Sequence, residues 1–122
     1  MPKVLVVEDD RDVLEIIVDI IKRHNIDVVT AQDGEEALEK YAKEQPDLVM
    51  ADIRMPKLNG IDLSHTIKKR NPNLPIILFS GQYPDLVEDL IEKKLQCDHV
   101  LFKPFVQMDI VESLRLFLGH SF

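Results

Sequence analysis

The sequence predicts an α/β fold, a doubly wound, five-stranded parallel sheet with helices packed on both faces. Two observations carry this. Short apolar runs rich in β-branched residues recur along the chain, and stretches of helical hydrophobic period separate them. The runs are mostly continuous rather than alternating, which marks strands buried on both faces.

Residues 3–7 (KVLVV), 27–30 (DVVT), 47–51 (DLVMA), 75–80 (PIILFS) and 99–102 (HVLF) read as the strands, each too short for a helix. Between the first two, Val13, Ile16, Ile17 and Ile20 repeat at helical spacing. Leu14, Val18 and Ile21 broaden that stripe, while Arg11, Asp12, Asp19 and Lys22 stay polar. A second helix starts near Asp33, an N-cap with Glu36 placed for a capping box, and turns Ala37, Leu38, Tyr41 and Ala42 inward before Pro46 ends it. The third spans residues 60–70 and stops before Asn71-Pro72. A fourth begins around Pro84, a good first helical residue, and runs through Leu86, Leu90 and Ile91. The fifth sets Ile110, Val111, Leu114, Phe117 and Leu118 on one face and meets Gly119, a natural stop. No repeat or linker interrupts the pattern, so residues 1–122 are expected to form one domain with no output domain.

Composition narrows the function. A chain of 122 residues buries roughly two-thirds of its unfolded surface, enough to fold without disulfide or metal staples. Cys97 is the only cysteine, so an internal disulfide is excluded, and with four scattered histidines (His24, His65, His99, His120) no zinc or haem framework exists. A lone thiol suits a reducing compartment, and the expected address is the cytoplasm. No apolar run reaches the length of a membrane span, and residues 2–10 turn acidic before a signal-peptide core could form. Asp plus Glu number 22 against 15 Lys plus Arg, a net charge of −7 that argues against a general nucleic-acid surface.

In an open parallel sheet, ligands bind outside the carboxyl ends of the strands, where the strand order reverses. Glu8, Asp9 and Asp10 follow the first strand, Asp52 the third, Ser80 ends the fourth and Lys103 follows the fifth. Right-handed crossovers wind most simply in the order 2-1-3-4-5, which makes the first and third strands neighbours and gathers Glu8, Asp9 and Asp52. Carboxylates at close range repel, so the cluster either stays partly protonated or holds a cation. A few oxygen ligands, with positions left for water and phosphate, suit Mg2+ better than Ca2+. With the Ser80 hydroxyl and the Lys103 ammonium beside them, the group describes a site that stabilises a phosphoryl group in flight, and Asp52 is then the nucleophile that becomes an acyl phosphate.

Taken singly these residues are ordinary. Asp10 reads as a helix cap, Ser80 as a loop hydroxyl, Lys103 as a surface charge, and Met50, Met55 and Met108 as core or loop filling. Joint placement at one sheet edge sets the site apart, because independent surface residues would scatter.

VLVVEDD, DIRMPKLNGID, FSG and FKPF, in that order and spacing, resemble the receiver domain of two-component response regulators, of the chemotaxis-regulator-like single-receiver kind and flavodoxin-like in fold, over essentially the whole chain. The resemblance implies that Asp52 accepts a phosphoryl group from a phosphohistidine of a sensor histidine kinase or phosphotransfer protein. It implies that Asp9 ligates Mg2+ directly, Glu8 through the metal's water, and Arg54 through its backbone carbonyl. Ser80 and Lys103 would each meet a phosphoryl oxygen, and the peptide to Pro104 would be cis. Pro56 and Gly60 match the turn after the third strand. Such a domain is no conventional enzyme but catalyses its own Asp phosphorylation and dephosphorylation. It switches the surface of the fourth helix, fifth strand and fifth helix for a downstream protein target or separate output domain, with no direct nucleic acid or membrane contact.

Two departures stand out. Val100 occupies the position of the family's switch aromatic, which leaves Tyr83 or His99 as candidate moving groups, and Glu8 stands where an aspartate is commoner. Arg54 and Gln82 sit where family variation tunes rates. The competing readings fare worse. A pseudo-receiver, a binding module independent of phosphorylation, would lack one or more site residues, and all are present. A haloacid-dehalogenase-type phosphotransferase needs a second acid where Arg54 stands, and a flavodoxin-like cofactor carrier needs a Gly- and hydroxyl-rich loop where three acids stand.

Overall fold

Alternation of apolar strands and amphipathic helices is realised in a computed structural model that describes residues 1–55, 57–81, 97–103 and 106–119. The strands are β1 (Lys3–Val7), β2 (Asp27–Ala31), β3 (Leu48–Asp52), β4 (Ile76–Ser80) and β5 (His99–Phe102). All pairings are parallel, in the order β2-β1-β3-β4-β5 that right-handed crossovers predict. The helices among the described residues are α1 (Arg11–Lys22), α2 (Gly34–Glu44), α3 (Gly60–Arg70) and the C-terminal α4 (Gln107–Leu118), which is the fifth helix of the sequence reading. The helix expected from Pro84, together with Pro56, Gln82, Tyr83 and Pro104, lies outside the described residues.

Successive strand residues feed opposite cores. Val4, Val6, Met50, Ile77 and Phe79 face Leu14, Ile17, Ile20 and Ile21 of α1 and Ile110, Val111 and Leu114 of α4. Their neighbours Leu5, Val7, Val49, Ala51, Ile76 and Leu78 join Ala37 of α2 and Leu63 and Ile67 of α3. A strand sandwiched this way must be apolar at every position, which is why the runs show no period of two. Each Leu, Ile, Phe or Met so buried contributes about 1.5–3 kcal/mol relative to exposure.

Helix ends follow the sequence signals with instructive shifts. The Asp10 carboxylate caps α1, accepting from the N–H groups of Asp12 at 3.0 Å and Val13 at 3.3 Å. Asp33 caps α2 by accepting from Glu36 N–H at 2.8 Å, but the Glu36 carboxylate reaches past it to Gln32 N–H at 3.3 Å. Asn59 caps α3, accepting from Asp62 N–H at 2.9 Å. The expected inward stripe on α1 is narrower than its apolar residues suggest. Ile16 is 60% exposed, since Leu14, Ile17, Ile20 and Ile21 already fill the arc that meets the sheet. Met108, expected as filling, is likewise exposed on α4.

Candidate functional site

β1 and β3 are adjacent, with Val7 opposite Ala51, so the residues that follow them emerge side by side at the carboxyl edge. Glu8 continues the β1 ladder by one bond, its N–H donating to Ala31 O at 3.0 Å, which holds its side chain in the interior with only 1% exposure. Asp9 is exposed on the rim. Asp52 is the last residue of β3 and is buried. One ligand oxygen from each of Glu8, Asp9 and Asp52 lies within 4.8 Å of the others.

Lys103 closes this group from the far side of the sheet. Its N–H donates to Ser80 O at 2.7 Å, seating it directly beyond β5. From there the ammonium donates to Asp52 Oδ2 at 2.6 Å and to Glu8 Oε2 at 3.5 Å. The other Asp52 oxygen, Oδ1, accepts from Arg54 N–H at 2.9 Å. Ser80 ends β4, buried and bonded through its carbonyl to Lys103. Every residue expected at the site therefore lies at this edge: Glu8, Asp9, Asp52 and Lys103 in direct proximity, Arg54 joined to Asp52 through its N–H, and Ser80 joined to Lys103.

The electrostatics express an excess of negative charge in a dry place. Burial, reinforced by the hydrogen bond and charge of Asp52, pushes the Glu8 carboxyl up to about 8. Burial pulls the Lys103 ammonium down, but its hydrogen bond to Asp52 and the charges of Asp52 and Glu8 outweigh that and hold it above the ordinary lysine value. One ammonium thus serves two buried carboxyls, and the group still retains a proton well above the usual carboxylate range. An oxygen-only donor set that is short of positive charge fits a hard divalent cation.

Gly60 is required by space. A Cβ there would stand 2.4 Å from Asp52 O and 2.9 Å from Ile53 Cα, and its N–H donates to Ile53 O at 2.9 Å. The start of α3 therefore presses against the backbone of Asp52 itself. Beside Asp9 and Arg54, the side chains of Ile53, Met55, Asn59 and Ile61 line a cleft of about 480 Å3. The sequence reading gave Met55 only a filling role and assigned none to Ile53, Asn59 and Ile61, although Asn59 as the cap of α3 was the available signal. Of the candidate moving groups, His99 is exposed, with its ring 6.4 Å from that of Phe117.

Fold and site together define a class, a doubly wound α/β module with an acidic pocket closed by a lysine at the switch point of its sheet. The chain belongs to the response regulator receiver domain family, whose pattern matches residues 4–115. It is 30% identical over 119 residues to the alkaline phosphatase synthesis transcriptional regulatory protein PhoP of Bacillus subtilis, covering 98% of this chain and 49% of that protein. It is 33% identical over 121 residues to the transcriptional regulatory protein CpxR homolog of Haemophilus influenzae, covering 99% of this chain and 52% of that protein. The chain thus spans about half the length of these relatives. Among solved structures, a response regulator receiver domain protein from Clostridium thermocellum superposes with a TM-score of 0.88 at 27% identity, covering 98% of this chain and 95% of that one. The receiver domain of the Francisella response regulator 1452 does so with a TM-score of 0.85 at 34% identity, covering 96% of each chain.

Proposed function

We propose that this receiver domain takes a phosphoryl group on Asp52, drawn from a phosphohistidine of a sensor histidine kinase or phosphotransfer protein. A carboxylate oxygen of Asp52 attacks phosphorus, the phosphorus–nitrogen bond to the donor imidazole breaks, and its electron pair leaves with the ring. Glu8, Asp9, Asp52 and the Arg54 carbonyl would hold Mg2+, Asp9 directly and Glu8 through a water. When bound, the ion neutralises charge on the carboxylates and phosphoryl oxygens. The contact of Lys103 with Asp52 Oδ2 at 2.6 Å is the single observation that carries the reading. An ammonium already on the attacking group need travel only the length of the new bond to meet a phosphoryl oxygen, and Ser80 donates to another.

The acquired group brings roughly two negative charges, which draws Ser80 and Lys103 toward it and biases the loop after β4. A downstream protein target or separate output domain then reads β5 and α4, where Phe102, Met108 and Leu116 are exposed, together with the helix that the sequence predicts from Pro84. Contact is with protein rather than nucleic acid, in keeping with the net charge of −7. No helix among the described residues is long and apolar enough to cross a membrane. From its family we infer that the domain works in the cytoplasm.

Intact-protein mass after incubation with acetyl phosphate, with and without Mg2+, tests the reading. Wild type should gain one phosphoryl group only with Mg2+, and Asp52→Asn should gain none. A folded protein that binds Mg2+ yet takes nothing from acetyl phosphate or from a phosphorylated kinase would overturn the reading in favour of a phosphorylation-independent binding module.

A further inference from the structure

At the opposite end of β5 from Lys103 stands an ion pair that the site chemistry leaves unused. Lys68 of α3, with a side chain 12% exposed, donates from its ammonium to Asp98 Oδ2 at 2.7 Å, to Leu74 O at 2.7 Å and to Pro72 O at 3.4 Å. All its donors are thereby engaged. The same Asp98 oxygen accepts from Ile76 N–H at 2.7 Å, while Asp98 N–H donates to Ile76 O at 2.8 Å. Asp98 therefore grips the first residue of β4 from both its main chain and its side chain, and Lys68 ties that grip to α3 and to the turn before β4.

The grip matters because, among the described residues, β5 is otherwise held only by its ladder to β4 and by the burial of Leu101 in the core. It is the outer strand of the sheet, four residues long, and pairs with β4 alone. Its register runs from Ile77 opposite His99 to Ser80 opposite Phe102 and ends in the bond from Lys103 N–H to Ser80 O. A slip of one residue would turn Leu101 out of the core and carry Lys103 about 3.3 Å along the strand. That shift exceeds the 2.6 Å that separates its ammonium from Asp52.

We propose that Lys68 and Asp98 are positioning residues for Lys103: they fix the axial position of β5 on β4 and so aim the Lys103 ammonium at Asp52. This deepens, and rests on, the reading of Asp52 as acceptor and Lys103 as its partner.

The experiment uses the full chain as wild type, Lys68→Met, Lys68→Arg, Asp98→Asn, Lys103→Ala and the double variant Lys68→Met/Lys103→Ala. All are compared at a temperature where circular dichroism shows them folded. Initial phosphoryl uptake from acetyl phosphate at saturating Mg2+ is read by mass, and Mg2+ affinity by calorimetry. Lys68→Met should slow uptake roughly tenfold or more, since misplacement by about 1 Å can cost up to about 10²-fold. Its Mg2+ affinity should stay as in wild type, because Glu8 and Asp9 follow β1 and Asp52 ends β3, away from β5. Lys68→Arg should restore most of the rate, and the double variant should be no slower than Lys103→Ala alone. Should Lys68→Met not fold, Asp98→Asn carries the test, as it keeps an acceptor for Ile76 N–H and loses only the charge that holds Lys68. Its uptake should fall in the same direction.

Wild-type uptake in folded Lys68→Met and Asp98→Asn, with Lys103→Ala slow, would overturn the proposal and leave the acceptor reading intact. A parallel loss of Mg2+ affinity, or a further fall in the double variant, would also overturn it by showing an effect not routed through Lys103. Full-rate Lys103→Ala would overturn the proposal together with the Lys103 reading beneath it.

Discussion

At Glu8 the fold and the chemistry oppose each other, for a carboxyl follows β1 into the interior with one shared ammonium for company. Its folded pKa of about 8 lies above the ordinary 4.5, so the folded protein holds this proton more tightly than the unfolded chain does. The stability it contributes is therefore fully present below about pH 4.5 and lost as pH rises through about 8. In metal-free protein, Glu8→Gln should flatten the decline of the thermal midpoint across that window, and a decline as steep as in wild type would contradict the assignment. Lys103→Ala should keep the fold by circular dichroism, because the side chain is 27% exposed, yet lower phosphoryl uptake by roughly 10²-fold. Uptake at the wild-type rate would contradict its role. Glu8, Asp9, Asp52, Ser80 and Lys103 were legible in the sequence because each stands at or just beyond the end of an apolar run. The roles of Lys68 and Asp98 were not, since one ammonium reaches two main-chain carbonyls and a carboxylate 30 residues away, and no periodicity relates them.

Among the elements, the starts of α2 and α3 pack closely on the backbone around the turn after β3. A Cβ at Gly34 would meet Leu58 O at 2.1 Å, and one at Gly60 would meet Asp52 O at 2.4 Å. Backbone cannot yield as a side chain can, so Gly34→Ala and Gly60→Ala should each destabilise by about 1–3 kcal/mol or more, seen as a lower urea midpoint. Unchanged midpoints would mean that the turn is not clamped as described. Asp33→Ala should lower the urea midpoint through the lost cap of α2. The sequence marked Gly60 only as a turn and helix-start residue and gave Gly34 no role, because close approach of distant backbone leaves no local pattern. Strand limits were legible to within a residue: residues 47–51 read as the third strand, whereas β3 is Leu48–Asp52, with Asp47 just before it bonded to Lys3 through both its N–H, at 2.7 Å, and its carboxylate, at 2.8 Å. Ile16 misled for a related reason, as an apolar residue on a helix need not lie on the buried arc.

The whole molecule is a sheet with a core on each face and one edge left for chemistry. Strand order was legible because continuous apolar runs require two covered faces and right-handed crossovers leave one simple winding. The fourth helix, read from Pro84 through Leu90 and Ile91, lies outside the described residues. If the acidic edge takes Mg2+, the ion should stabilise the entire fold, by about 2.7 kcal/mol at a hundredfold excess over its dissociation constant. Calorimetry should show that gain in wild type and a smaller one in Asp9→Asn, and a midpoint indifferent to Mg2+ would contradict the metal site. The central claim concerns one bond, between Asp52 and phosphorus, and borohydride trapping tests it most directly. Hydride reduces an acyl phosphate to an alcohol and releases phosphate, so peptide mapping after phosphorylation should find homoserine in place of Asp52 and nowhere else. Homoserine at another aspartate, or a borohydride-resistant phosphoryl group on Ser80, would contradict the account.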